Sequence, residues 1–94
     1  MSRYYSMQVT VEKFDPEKQQ DILEAIDDLW NVEQNWSDPQ RISTEGRSSL
    51  SGGESEEQFA DRLYARIAEV NGGPCLLVVG ALYLEGYEFH HRGA

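Results

Sequence analysis

Around Asn71 the chain changes character within four residues, and that change limits the folds open to it. Upstream, Phe59, Leu63, Ile67 and Val70 recur at helical spacing. Ser55 with Gln58 three residues on makes a capping box for that helix. Asn71-Gly72-Gly73 closes it, and Pro74 prevents its continuation. Cys75 to Glu85 is then strand-length and almost wholly apolar as far as Leu84, the pattern of an interior strand or one covered on both faces. Ser51-Gly52-Gly53 reads as a hinge in front of the helix.

The first half follows the same logic. From Tyr5 to Phe14, Tyr5, Met7, Val9 and Val11 alternate with Ser6, Gln8, Thr10 and Glu12, a strand with one buried face. Asp15-Pro16 opens a helix, with Asp15 at the N-cap and proline at the first helical position. Ile22, Ile26, Leu29 and Trp30 form its apolar stripe, and Asn31 can close it. Val32–Ser37 reads as a short second strand and Asp38-Pro39-Gln40 as a turn. Arg41–Leu50 reads as a third strand in which Gly46 marks a bulge or a bend. The order strand, helix, strand, strand, helix, strand predicts an α+β fold, the ferredoxin-like βαββαβ sandwich. Its four-stranded antiparallel sheet would carry two helices on one face and leave the other open. Residues 87–94, with His90 and His91, read as a tail beyond an ordered core of residues 4–86.

Ninety-four residues make a single domain, 1–94. No apolar run approaches the roughly 20 residues that span a bilayer. Met1 to Ser6 lacks the apolar segment of a signal peptide. One cysteine rules out an internal disulfide framework. These features together lead to the expectation of a cytoplasmic protein.

Seventeen acidic residues against eight basic ones give a net charge of −9. That opposes direct binding to phosphate backbones, which requires Lys and Arg to displace counterions. It permits docking on a basic surface, including one that normally holds nucleic acid, and it also serves solubility alone. Residues 12–38 hold nine acidic and two basic residues, a net −7, so most of the imbalance sits in one segment. Within it Glu17, Asp21, Glu24 and Asp28 are spaced 4, 3 and 4 apart, on the helix side opposite Ile22, Ile26 and Leu29. Asp27 flanks them. Neighbouring carboxylates on such a stripe stand about 5–6 Å apart along the helix, which resembles the run of phosphates along a strand and suits a nucleic-acid mimic. A solvated helix face explains the same pattern without a partner.

Other chemistry finds less support. The glycine loop before Ser55 lacks Gly-Lys-Ser/Thr, and Glu54, Glu56 and Glu57 already occupy the positive helix end. Cys75 has no basic neighbour to activate it, and the serines have no base except in the tail. His90 and His91 are adjacent, so on an extended segment they point opposite ways and do not chelate one ion. No metal, cofactor or catalytic residue is expected. The aromatic residues Tyr4, Tyr5, Trp30, Trp36, Tyr64, Tyr83, Tyr87 and Phe89 exceed what a small core needs. Without basic neighbours in an RNA-binding pattern, the surplus suits protein contacts, Trp36 among them.

The stretch Ser48-Ser49-Leu50, Gly52 to Leu63, Asn71 to Cys75 and Tyr83-Leu84-Glu85 resembles that of small acidic proteins encoded in bacterial genomes and their mobile elements. The resemblance covers the C-terminal half and, more loosely, Tyr5–Trp30, and brings no catalytic residues with it. In size and charge, though not in motif, the chain is also similar to phage anti-CRISPR proteins, many of which occupy the nucleic-acid path of a nuclease complex. The charge pattern and the surplus of aromatic residues lead to the expectation of a non-enzymatic inhibitor docking on a basic protein surface through Glu17, Asp21, Glu24, Asp27, Asp28 and Trp36, and the likeness in size and charge implies a CRISPR effector subunit as its target. The alternative is a homodimeric regulatory or structural module pairing through its open sheet face.

Overall fold

Alternation along the first strand decides where the core lies. In the computed structural model, which describes residues 3–50, 54–83 and 86–93 with the side chains of Arg3, Tyr4 and Tyr83 excepted, β1 spans Arg3–Glu12. Tyr5, Met7, Val9 and Val11 are buried, and the polar residues between them are not. The expected hinge at Ser51-Gly52-Gly53 and the Leu84-Glu85 end of the expected last strand lie outside the described residues. The other strands are β2 (Gln34–Asp38), β3 (Arg41–Leu50), β4 (Leu76–Tyr83) and β5 (Gly86–Arg92). A short 3-10 turn, Pro16–Lys18, precedes helix α1 (Gln19–Leu29), and α2 spans Glu56–Asn71.

All pairings are antiparallel, in the order β2-β3-β1-β4-β5. The fold is therefore α+β with two helices and a five-stranded sheet, which corrects the expectation of four strands. The fifth strand occupies the segment expected to be a tail. Register puts Met7 beside Gly46 and Ala81, and Val9 beside Thr44 and Val79, so β1, β3 and β4 share one buried face. Ile22 and Ile26 of α1 and Phe59, Leu63 and Ile67 of α2 pack on that face, where each apolar side chain contributes roughly 1.5–3 kcal/mol by leaving water. Both helices thus lie on one side, and among the described residues no element covers the other side of the sheet.

Local chemistry explains the joints. Ser55 and Gln58 form the expected capping box, with Gln58 N–H donating to Ser55 Oγ at 3.2 Å and Ser55 N–H to Gln58 Oε1 at 3.0 Å. Gly72, with φ of 80°, ends α2 in the left-handed conformation. Asn71 does more than close the helix, since its Oδ1 accepts from Asp15 N–H at 2.8 Å and ties the start of the acidic segment to the end of α2. Asp15 caps as expected, accepting from Glu17 N–H at 3.0 Å, but the turn it starts is 3-10, and the α-helix begins only at Gln19.

Gly46 is neither a bulge nor a bend, for β3 keeps regular register with β1 through the pair Met7 and Gly46. Its missing side chain makes room for another segment: the backbone of Asn31 and Glu33 crosses directly over it. Trp30 Nε1–H donates to the Gly46 carbonyl at 3.0 Å in the buried joint this creates. Arg92 fastens β5 to α2, donating from Nε to Asp61 at 2.6 Å and from Nη2 to the Glu57 carbonyl at 3.3 Å.

Glu33 completes the crossing. Its carboxylate accepts from Arg47 Nη2 at 3.3 Å, from Arg47 N–H at 3.1 Å and from Asn31 Nδ2 at 3.3 Å. The Arg47 side chain first, and its backbone N–H second, hold the Glu33 carboxyl below the usual range. A lowered folded-state value favours folding above the unfolded carboxylate range, about 4.3, and that contribution is lost as pH falls through the folded value. Glu33→Gln should therefore lower the thermal midpoint at neutral pH, and the difference from wild type should shrink as the acid limb is descended. A difference constant from neutral to acidic pH would contradict this role.

Candidate functional site

The carboxylates singled out in the sequence are exposed: Glu17, Asp21, Glu24, Asp27 and Asp28 all face solvent. Asp21, Glu24 and Asp28 ride on α1 itself, which buries Ile22, Ala25 and Ile26 on its other side. Glu17 stands in the preceding 3-10 turn, so the row is one helical face with a short extension rather than a single unbroken helix. Asp27 has a local duty as well, its Oδ1 accepting from Val32 N–H at 3.3 Å across the turn after α1. With Gln20, Leu23, Glu24, Val32 and Asn35 it lines a shallow groove between α1 and the entry to β2.

Internal pairing leaves this row alone. Arg41 meets Glu12 at 3.9 Å, Arg47 meets Glu33 at 3.3 Å and Arg62 meets Glu54 at 3.0 Å. Arg66 meets Glu69 at 3.6 Å and Arg92 meets Asp61 at 2.6 Å. Five arginines thus hold five carboxylates elsewhere, and among the described residues none of the salt bridges involves Glu17, Asp21, Glu24 or Asp28. Surface pairs of this kind contribute little stability. They offset Glu12, Glu33, Glu54, Asp61 and Glu69, and leave the α1 carboxylates without an arginine partner among the described residues.

Trp36 departs from the expected grouping. It lies on β2 opposite Ser43, on the bare face of the sheet, with 54% of its surface exposed. The helices occupy the other face, so the structure does not bring Trp36 and the α1 carboxylates together. Instead Trp36 borders a shallow depression with Gln8, Ser37, Asp38, Arg41 and Ser43.

The bare face holds what the sequence reading overlooked. Tyr87 and Phe89, assigned to a tail, project from β5 beside the outward residues of β4, with their rings stacked at 5.0 Å. Gly80 lies next to Phe89 in register, and its lack of a side chain gives both rings a seat on β4. The alternation Tyr87, Phe89, His91 against Glu88, His90, Arg92 is a period-two signal that could have identified this strand. His90 and His91 do point opposite ways, His90 towards the helices and His91 to the open face.

Cys75 is buried, and burial raises its thiol above the ordinary range, the opposite of what an activated nucleophile needs. Among the described residues no group of His, Cys, Asp and Glu is arranged to hold a metal ion, and no helix is long and apolar enough to cross a membrane. Comparison with protein-family models, with curated proteins and with solved structures finds no match.

Proposed function

We propose that this chain is a non-enzymatic inhibitor or adaptor of the cytoplasm that docks its α1 carboxylates on a basic, nucleic-acid-binding surface of another protein. The observation that carries this reading is the contrast between Glu17, Asp21, Glu24 and Asp28, exposed and outside every salt bridge among the described residues, and five arginines already held elsewhere. Unpaired carboxylates about one helical turn apart can each take a lysine or arginine that otherwise holds a phosphate. A CRISPR effector subunit is the target that the resemblance in size and charge suggests. The scaffold we infer is a ferredoxin-like sandwich with a strand added, supported by the order β2-β3-β1-β4 and two helices on one face.

Capture from a lysate of the source organism, at low and at high salt, tests the reading. Wild-type protein should retain a basic nucleic-acid-binding protein at low salt, and added nucleic acid should compete it away. The variant E17Q/D21N/E24Q/D28N should lose it. Retention of the same proteins by both forms would overturn the docking role of α1.

A further inference from the structure

Among the described residues the exposed large apolar side chains are Trp36, Tyr87 and Phe89, and all three stand on the sheet face that the helices leave bare. We infer that this face is the contact between two copies of the chain, related by a two-fold axis running across the strands. The inference does not depend on what α1 binds. Leu76, Val78 and Leu82 of β4 lie half-buried on the same face, and the stacked Tyr87 and Phe89 rings extend their apolar strip onto β5. A two-fold axis in that direction lays the strip of one copy on the strip of the other, as an isologous contact requires.

Area and charge both favour a second copy. Five strands about 4.8 Å apart, over about eight residues at about 3.3 Å each, make a face of about 600 Å². Two such faces bury about 1,200 Å², the lower bound of specific stable interfaces. The chain carries −9, so two copies associate readily only through a surface that is close to neutral. Here Arg41 offsets Glu12 and Arg47 offsets Glu33, so Asp38 and Glu45 keep their charge on the β2–β3 half, while the described residues of the β4–β5 strip carry no Asp, Glu, Lys or Arg on this face. The acidic row lies across the sheet, on the helix layer. Face-to-face pairing sets the two rows about 30 Å apart, at about 10 Å per packed layer, well beyond a screening length of about 8 Å.

Sedimentation equilibrium over a range of concentrations tests this, using wild type, Phe89→Glu and E17Q/D21N/E24Q/D28N. Wild type should approach twice the chain mass of 10.7 kDa. Phe89→Glu should raise the dimer dissociation constant at least about thirtyfold, the scale of losing an interface anchor. Its circular dichroism should be unchanged, since Phe89 is 59% exposed. The four-site α1 variant should still dimerise, which separates this inference from the docking role of α1. A wild-type monomer at every concentration, a mass that grows without limit, or a dimer untouched by Phe89→Glu would each overturn it.

Discussion

Gly46→Ala should cost about 3 kcal/mol or more, at or beyond the upper end of ordinary overpacking. A β-carbon at this position would overlap the Asn31 carbonyl oxygen and crowd Glu33 N at 3.2 Å. Backbone cannot step aside as a flexible side chain can. The Asn31–Glu33 crossing is also held by Glu33 N–H donating to the Glu45 carbonyl at 2.9 Å and by Trp30 donating to Gly46. Relief would have to separate α1 from β3. For a domain of this size the thermal midpoint should fall by about 12 °C or more. Gly73→Ala serves as the control, because a β-carbon there meets nothing within 4 Å, and it should change stability by no more than about 1 kcal/mol. Equal midpoints for the two variants would show that the crossing does not constrain the fold.

Phe59→Ala should be the most damaging truncation, at about 3–5 kcal/mol. Phe59 is fully buried, its ring 5.1 Å from that of Trp30, with the Arg62 guanidinium 5.5 Å above it. It joins α2 to the Trp30–Gly46 joint, so its loss leaves a void where α1, α2 and β3 meet. Against a total stability of about 5–15 kcal/mol this is a large share. Chemical denaturation should show the midpoint shift. Arg62→Ala should cost under about 1 kcal/mol, because the guanidinium is half-exposed and its pairing with Glu54 is a surface contact. A Phe59→Ala cost as small as that of Arg62→Ala would contradict the packing described.

Much of the fold is legible in the sequence because its signals are strong and local. The alternation of Tyr5 to Val11, the Ser55–Gln58 cap, the Phe59, Leu63, Ile67 repeat and the Gly72 stop each depend on near neighbours, and each is present. Long-range causes were harder to read. Gly46 is explained by a segment some fifteen residues away crossing over it. The alternation of β5 is local, but polar Glu88, His90 and Arg92 occupy its helix-facing side, the reverse of the usual pattern, and only β4 and α2 lying alongside account for them. The candidate site was legible for the α1 carboxylates, since helical periodicity alone groups Asp21, Glu24 and Asp28. It was not legible for Trp36, whose side of the sheet is set by register with Ser43.

Two surfaces of unlike character follow from this arrangement: a charged helical layer and an aromatic-bearing sheet. The affinity of the captured basic protein for wild type and for E17Q/D21N/E24Q/D28N, titrated across salt concentration, reports on the first. The expected result is wild-type affinity that falls steadily as salt rises, with the neutralised variant at least about tenfold weaker at low salt and nearly flat against salt. Equal affinities with equal salt slopes would contradict the account, leaving the α1 carboxylates as a solvated face.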